Sequence, residues 1–368
     1  MKRVLCIVGK MDVGGAETFL MKIYRKLNKL EYQFDFCVFS QDVGFYDDEI
    51  AIAGGVIHHA SLKTRNPFKS FNDVRKIVKK NKYNCVLRLA TNSLSSIDLL
   101  ASKLGGAEIL ALRACSANAG GGMASHMLHK IFKLLALYLP DIKIAPSKLS
   151  AEFMFGKRAV KKGVISFLNN GVDLDYYKFD KKSRTSFQEK FGISDKLVIG
   201  HAGSFKPEKN HRFILDVFNA VQKKNPNSVL LLAGDGELRS KTEKCAAELG
   251  LENNIYFLGF AKNISEFLAA IDIFILPSIY EGMPNVVIEA QAAGLPCVVS
   301  DTVTREANIT GGVSYTSLLE PPEVWADCIL AAAAKERTSM DNISKSFIEK
   351  GYDIDTVAWK FLQMIAST

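Results

Sequence analysis

Two glutamates eight residues apart, Glu281 and Glu289, flank the junction of a predicted strand and a predicted helix. The segment FILPSIYEGMPNVVIEAQAAGLPCVVSD, residues 274–301, holds an apolar run, a polar turn and a helical pattern. Pro284 suits the first helical turn, which predicts a helix over 284–293. A phosphate can bind at the N-terminus of such a helix, and the Glu289 carboxylate, one turn deeper, offers two acceptors to a sugar diol. Glu281 precedes the helix and could contact a different part of the same ligand.

Other loops after predicted strands carry residues suited to binding an anion. Gly14 and Gly15 follow the first strand and precede a helix, so backbone N–H groups there can approach an anion. The strand LVIGHAG is followed by SFKPEKN, in which a lysine ahead of the next helix is well placed for a phosphate. The run SVLLLAG ends at Gly234 and leads into an Asp-Gly turn. Taken alone, each loop is explained equally well as a tight or solvated turn.

The whole chain is predicted to form two α/β domains. Its 368 residues exceed one typical domain, and its 48% hydrophobic and 23% charged residues are ordinary for a globular protein. Apolar runs separated by helical segments predict parallel sheets with helices on both faces. Two such series indicate two doubly wound domains, whose ligands bind beyond the carboxyl ends of the strands. The joint is predicted near residues 169–184, where turn and charged residues interrupt the apolar rhythm.

The predicted elements follow one another in a regular order. A first helix is predicted from about Ala16 to Leu30, and a last amphipathic helix over 353–365. The predicted strands are RVLCIVG, FDFCVFS, GGVIHHA, YNCVLRLA, EILALRA and IKIAPS, then LVIGHAG, SVLLLAGDG, NIYFLGF, IDIFILPS and LPCVVSD.

Several classes of protein fit the sequence poorly. No apolar run approaches the roughly 18–20 residues that span a bilayer, and the apolar stretch near the N-terminus is too short for a signal peptide. Neither half has a dinucleotide fingerprint with its downstream acidic residue, which disfavours an NAD-dependent enzyme. The cysteines lack C-x-x-C spacing, so buried free thiols in a reducing cytoplasm are the simplest interpretation. They are Cys6, Cys37, Cys85, Cys115, Cys245, Cys297 and Cys328.

Positive charge is concentrated in the first part of the chain. Residues 1–150 carry 22 Lys and Arg against 12 Asp and Glu, a net charge of +10, whereas the remainder carries −2. Basic residues cluster in 63–82, and a second basic, apolar stretch covers 126–140. Two interpretations of these stretches are equally well supported. They are either a solvated helix face and a buried core helix, or a surface that is attracted to anionic lipid headgroups at the inner face of the plasma membrane. Nucleic acid is a weaker candidate, because no zinc spacing or aromatic RNA-reading motif is present.

The segment with Glu281 and Glu289 resembles the E-x7-E signature of family 4 glycosyltransferases, retaining enzymes of the GT-B fold. The similarity covers nearly the whole chain and is greatest to the capsule and exopolysaccharide enzymes. GGAETFL resembles the first loop of that family, PSKLSAEFMFG and NNGVDLDYY its interdomain region, and FKPEKNHRFIL its phosphate loop. LLLAGDGEL and IYFLGF resemble its nucleotide pocket.

The resemblance implies a domain organisation and an activity. Two Rossmann-like domains would enclose a cleft, with an acceptor-binding domain over 1–168 and a nucleotide-sugar-binding domain over 172–352. A C-terminal helix at 353–368 would pack back on the first domain. The enzyme would move a sugar from a nucleotide-sugar, with UDP as the favoured nucleotide, to a lipid-linked or polysaccharide acceptor. No metal or other cofactor is expected.

The resemblance also implies roles for matching residues. Glu281 would contact the transferred sugar and the reacting centre, and Glu289 the ribose hydroxyls. Lys209 and the segment after Gly282 would hold the diphosphate, whose developing charge is the main target of catalysis. The diphosphate segment comprises Met283, Pro284 and Asn285. The other implied donor-binding positions are Gly14 and Gly15 near the distal phosphate and sugar, Ser204 in the phosphate loop, Gly234 in the nucleotide pocket, and Phe257 and Leu258 at the base.

Two positions depart from the family pattern. Ser204 stands where the phosphate loop of the family usually has an arginine. Lys206 could supply a positive charge instead, but an ammonium group cannot make the bidentate contact of a guanidinium. In RACSAN, residues 113–118, Cys115 and Ala117 stand where the family tends to have histidines. An alternative function therefore stays open, namely a non-catalytic glycosyltransferase-like subunit that binds a nucleotide or a partner enzyme.

Overall fold

The computed structural model describes residues 2–27, 31–116, 123–261, 263–281 and 283–366. The chain divides into two compact units. The first unit comprises Met1–Gly171 and Gly351–Thr368, and the second comprises Val172–Lys350. The change from the first unit to the second falls after Gly171, inside the segment where the apolar rhythm of the sequence lapses.

The first unit contains a seven-stranded parallel sheet in the order β3-β2-β1-β4-β5-β6-β7. Six of its strands were predicted, whereas the two-residue β7 was missed because so short a pairing leaves no pattern in the sequence. The strands are β1 (Lys2–Ile7), β2 (Tyr32–Val38), β3 (Ile57–His59), β4 (Cys85–Ala90), β5 (Ile109–Ala114), β6 (Ile142–Ala145) and β7 (Ser166–Phe167).

Helices connect these strands and cover both faces of the sheet, as expected for parallel strands buried on both sides. The first helix ends at Lys26, earlier than predicted, and residues 28–30 of that prediction lie outside the described residues. The helices are α1 (Gly15–Lys26), α2 (Asp47–Ile52), α3 (Pro67–Asn81), α4 (Ser96–Leu104), α5 (Met123–Tyr138), α6 (Lys148–Phe155) and α7 (Lys157–Lys161).

The second unit contains a six-stranded parallel sheet in the order β10-β9-β8-β11-β12-β13. Its last strand was not predicted. The strands are β8 (Leu197–Ala202), β9 (Ser228–Ala233), β10 (Ile255–Gly259), β11 (Ile273–Leu276), β12 (Cys297–Ser300) and β13 (Val313–Thr316). The helices are α8 (Leu174–Tyr177), α9 (Lys181–Phe191), α10 (His211–Lys224), α11 (Arg239–Glu248), α12 (Ile264–Ala270), α13 (Asn285–Ala292), α14 (Pro322–Ala333) and α15 (Met340–Glu349).

The order of the second sheet creates a switch point between β8 and β11. The chain builds β9 and β10 on one side of β8, then crosses back to place β11 on the other side. Loops leaving the carboxyl ends of two such strands diverge to opposite sides and leave a crevice, which is where open α/β sheets bind ligands. The loop with Lys209 follows β8, and the loop with Glu281 follows β11.

The C-terminal helix α16 (Ile354–Ala366) belongs to the first unit and completes one of its cores. The ring of Phe361 is fully buried and meets the ring of Phe34 edge to face, with centroids 6.0 Å apart. Close approach is needed where the helix begins, because a side chain at Gly171 would come within 2.6 Å of Ile354. Trp359, on the opposite face of the helix, is 62% exposed.

The predictions that the cysteines are buried and that the 126–140 helix is buried are only partly confirmed. All seven cysteines are free, but only Cys6, Cys37, Cys85 and Cys297 are buried. The interpretation of 126–140 as a buried core helix is wrong, because several apolar side chains of α5 are exposed. Among the described helices, none combines the length and apolar character that crossing a bilayer requires.

Phe361→Ala should destabilise the first unit by about 3–5 kcal/mol, because it removes a buried aromatic ring and leaves a cavity. Calorimetric unfolding of the full chain measures the change. Trp359→Ala on the same helix is the matched control and should alter stability by no more than about 0.5 kcal/mol. Equal effects of the two substitutions would show that α16 does not depend on the core contact.

Candidate functional site

An ion pair joins the two loops at the switch point of the second sheet. The Lys209 ammonium lies 2.5 Å from a carboxylate oxygen of Glu281, with 19% and 13% of the two side chains exposed. The Ser278 hydroxyl donates to the same oxygen at 2.9 Å. A backbone hydrogen bond of 2.8 Å from Ile279 to the carbonyl of Glu208 runs beside the pair. The structure therefore brings together two side chains that are 72 residues apart in sequence.

Local backbone geometry aims Lys209 at this crevice. Residues Pro207–Lys209 form one turn of 3-10 helix, and Asn210 then adopts a left-handed conformation with φ of 55°. Asparagine tolerates that conformation better than most residues. The turn reverses the chain between the phosphate loop and α10, so Lys209 faces the loop after β11 while His211 begins the next helix.

A cavity of about 230 Å³ adjoins the ion pair. Three of the predicted site residues, Ser204, Lys209 and Glu281, line it. Sequence reasoning gave no role to Glu208 and Tyr280, which complete the wall with Lys206. Ser204 is exposed, so the position that departs from the family pattern faces open space rather than packed side chains.

Gly234 acts through the backbone. A Cβ at this position would lie 2.0 Å from the carbonyl oxygen of Gly203, and the φ of 139° is unfavourable for any other residue. The absence of a side chain allows the loop after β9 to contact the loop after β8, where Phe205 donates its N–H to the carbonyl of Asp235 at 3.0 Å. The predicted position thus supports the phosphate loop.

The second glutamate has a buried partner. Glu289 is the fifth of the eight residues of α13 and is half-buried. The hydroxyl of Tyr177 donates a hydrogen bond to its carboxylate, and burial together with this carboxylate raises the pKa of Tyr177 well above its usual value. Tyr177 was missed as a functional residue, although it ends the motif NNGVDLDYY that carried part of the resemblance.

The segment between the two glutamates begins α13 one residue later than predicted. Pro284 is the residue before the helix, which runs over Asn285–Ala292. Met283 and Asn285 are half-buried, and Pro284 is buried. Gly282 lies outside the described residues.

The predicted base-contacting residues lie at the end of β10. Phe257 and Leu258 are half-buried, and the backbone turns after them at Gly259, with φ of 67°. The carbonyl of Phe257 accepts a hydrogen bond of 3.5 Å from Arg239. The backbone at this strand end is therefore partly engaged within the protein.

Two buried histidines form a neutral layer behind the ion pair. The rings of His201 and His211 meet edge to face at 5.0 Å. Burial, then the neighbouring imidazole, lowers the pKa of His201 well below its usual value, and burial, then Lys209, lowers that of His211 to about 4. Both rings are accordingly neutral at pH 7, so Lys209 and Lys206 supply the positive charge near the cavity. The Nδ1–H group of His201 donates a hydrogen bond of 3.0 Å to the backbone carbonyl of Ile275.

The remaining two predicted positions lie in the first unit. Gly14 precedes α1 and Gly15 begins it. A side chain at Gly14 would meet the Glu17 carboxylate at 2.5 Å, whereas a Cβ at Gly15 would have no neighbouring atom of the described residues within 4 Å, apart from its adjacent residues and the backbone of its own helix. Burial raises the pKa of Glu17. The backbone at Gly15 is therefore open to an approaching ligand.

Cys115, the other departure from the family pattern, is a half-buried residue, and desolvation of its thiol raises the pKa of that group. It lies against Arg113, at 3.7 Å from one guanidinium nitrogen. Arg113 is 1% exposed and stacks on the ring of Phe19 at 3.6 Å. Position 115 thus contributes an uncharged group, and Ala117 lies outside the described residues.

Comparison with known proteins places these features in a family. The profile of the family described as Glycosyl transferases group 1 matches residues 183–352. EpsF of Bacillus subtilis, named as a glycosyltransferase, is 33% identical over 96% of this chain and 93% of its own length. The capsular polysaccharide biosynthesis glycosyltransferase CapH of Staphylococcus aureus is 26% identical over 94% of this chain and 95% of its own length.

The fold is likewise shared with solved structures. The crystal structure of HepE from Anabaena in complex with UDP and glucose covers 100% of both chains with a TM-score of 0.78 and 19% identity. Both parallel-sheet units are therefore those of the GT-B fold, as predicted. With the sequence match to EpsF over almost its entire length, these findings show that the chain belongs to the group 1 glycosyl transferases.

Proposed function

We propose that this glycosyltransferase is a retaining, family 4 enzyme that moves a hexose from a UDP-sugar to a lipid-linked acceptor in polysaccharide biosynthesis. The observation that carries the proposal is the Lys209–Glu281 pair beside an open cavity at the switch point of the second sheet. HepE binds UDP and glucose on the same fold, and CapH is named for capsular polysaccharide biosynthesis, which supports the choice of donor and process.

Positively charged groups would bind the diphosphate of the donor, and carboxylates would bind its hydroxyl groups. Lys209 and the N-terminal amides of α13 carry positive charge or partial charge, which suits a diphosphate. Glu289, fixed by Tyr177, presents carboxylate oxygens to the ribose hydroxyls. When the diphosphate binds Lys209, the Glu281 carboxylate would lose its ion pair and contact the transferred sugar instead.

Leaving-group stabilisation would then drive the reaction. As the bond between the sugar and the diphosphate breaks, negative charge grows on the phosphate oxygens near Lys209. A preorganised ammonium in a partly desolvated site stabilises that charge more than water does. We propose that no resident metal takes part, since the lysines and the helix N-terminus supply the positive charge.

Release of UDP across a panel of UDP-sugars, with and without a chelator, tests this proposal. One UDP-sugar should be turned over much faster than the rest, and the chelator should have no effect. Tight UDP binding without turnover of any donor would instead support the non-catalytic alternative, which the serine at position 204 and the thiol at Cys115 favour.

We also propose that the first unit associates with an anionic membrane surface. The outward side of α5 carries the exposed apolar residues Met127, Ile131, Leu134 and Tyr138 at helical spacing. The helix α3, which shares a core cluster with α5, exposes a row of basic side chains. Apolar residues that enter the interface and basic residues that meet headgroups act together in such binding.

Glu289→Ala should weaken UDP binding, whereas Glu281→Ala should chiefly lower turnover. Loss of a charge-assisted hydrogen bond costs about 1.5–3 kcal/mol, which is roughly a ten- to hundredfold loss of affinity. Calorimetric titration with UDP measures the first effect and steady-state kinetics the second. Tyr177→Phe, which removes only the partner of Glu289, should weaken binding less than Glu289→Ala. Unchanged affinity in Glu289→Ala would refute the ribose assignment.

Ser204→Arg should tighten UDP binding by about 1–3 kcal/mol, because a guanidinium in the exposed position can add a bidentate contact to phosphate. Lys209→Ala should have the opposite effect and abolish turnover. The same titrations measure both. Unchanged affinity in Lys209→Ala would indicate that the phosphates bind elsewhere, and a folded Ser204→Arg variant that binds no better would favour the non-catalytic alternative.

Lys79→Ala combined with Lys80→Ala on α3 should weaken binding to anionic vesicles by about 2 kcal/mol, roughly thirtyfold. Flotation with vesicles of neutral lipid, with and without anionic lipid, measures the effect at low and high salt. Ile131→Ser with Leu134→Ser should also reduce flotation, and Leu319→Ser, at a 96% exposed residue of the second unit, is the control. Equal flotation with neutral and anionic vesicles would disprove the electrostatic contribution.

A further inference from the structure

The buried hydroxyl of Ser278 contacts the carboxylate of the candidate site. Ser278 lies three residues before Glu281 in the loop after β11, and it is fully buried. Its hydroxyl donates a hydrogen bond of 2.9 Å to one carboxylate oxygen of Glu281, Oε1, which also lies 2.5 Å from the Lys209 ammonium. No described residue donates a hydrogen bond to the second oxygen, Oε2. Both donors thus share one oxygen, although the Glu281 side chain lines the cavity.

The backbone of Ser278 is held on both sides. Its carbonyl accepts hydrogen bonds from the hydroxyls of Ser300, at 2.6 Å, and Thr302, at 2.8 Å. Ser300 is the last residue of β12 and is fully buried. The next residue along the loop, Ile279, donates its N–H to the carbonyl of Glu208 at 2.8 Å. The loop therefore has little freedom to move the serine hydroxyl away from the carboxylate.

Ser278 and Lys209 differ in how they can respond to a ligand. The lysine carries three protons at the end of a flexible four-carbon chain, so it can exchange one acceptor for another. The serine has one hydroxyl proton on a short side chain that is enclosed by protein. A hydrogen bond to a carboxylate is also stronger than one between neutral groups. A diphosphate can therefore displace the lysine from the carboxylate but not the serine.

We propose that Ser278 is a positioning residue that orients Glu281 for sugar transfer. This inference rests on the proposed function, in which a diphosphate binds Lys209 and the Glu281 carboxylate contacts the transferred sugar. When the ammonium binds the diphosphate, Ser278 is the remaining hydrogen-bond donor to Glu281 among the described residues. It keeps Oε1 in place and leaves Oε2 for a hydroxyl of the sugar. Ser278 thereby acts on turnover and not on affinity for the nucleotide.

Steady-state kinetics and calorimetric UDP titration of the full chain separate these two effects. Ser278→Ala should lower kcat about tenfold, because it removes a charge-assisted hydrogen bond to Glu281. The same variant should bind UDP with wild-type affinity, which also shows that the site remains folded.

A double-mutant cycle tests whether Ser278 acts through Glu281. In the Glu281→Ala background, Ser278→Ala should change kcat by less than about twofold, since the group that it positions is absent.

Ser228→Ala is the matched control, because it also removes a fully buried serine hydroxyl. The hydroxyl of Ser228 donates to the carbonyl of Asn225 at 2.8 Å, at the start of β9 and therefore at the amino end of the sheet. This variant should have the kcat of the wild type.

Four results would overturn the inference, and they identify where it fails. Equal kcat in wild type and Ser278→Ala contradicts the positioning role and leaves the proposed function intact. A loss of UDP affinity that matches the loss of kcat assigns Ser278 to the nucleotide site or to stability. An undiminished effect in the Glu281→Ala background shows that Ser278 does not act through the carboxylate. Absence of turnover by the wild type with every UDP-sugar removes the proposed function and this inference together.

Discussion

The ion pair between Lys209 and Glu281 holds together the two loops of the candidate site. It connects the loops that leave β8 and β11 in opposite directions, and it keeps a cation and a carboxylate partly desolvated at the mouth of the crevice. A partly buried ion pair adds little net stability, because desolvation offsets the attraction. In the function proposed above, the pair would act by exchange: a diphosphate would replace the carboxylate at Lys209, and Glu281 would then be free to contact the sugar.

The elements around the pair restrict its movement. The contact of Gly234 with Gly203 fixes the phosphate loop against the loop after β9, and the neutral histidine layer supports Lys209 without competing for its charge. Tyr177 performs a similar task for Glu289 from outside the sheet. The two glutamates are thus held by different neighbours, which agrees with separate roles in binding and turnover.

The two units differ in the surfaces they offer. The second unit has two cavities that share Lys206 in their walls. The first unit instead exposes basic side chains on α3 and apolar ones on α5, and its core is completed by α16 from the end of the chain. The proposed soluble donor would suit the open cavity at the switch point of the second unit, and the proposed lipid-linked acceptor would suit the mixed basic and apolar surface of the first.

The sequence by itself determined the alternation of strands and helices, the parallel sheets and the loop that carries Glu281. Strands that are buried on both faces are continuously apolar, whereas the apolar residues of a helix recur every three to four positions, so the two patterns can be told apart. It could not determine β7, which has only two residues, or β13, whose residues Val-Ser-Tyr-Thr are partly exposed and form no continuous apolar run. Only the tertiary structure paired Lys209 with Glu281 and Tyr177 with Glu289, and exposed the apolar side of α5. The physical reason is that local periodicity reflects burial, whereas these contacts depend on strand order and on which helices become neighbours.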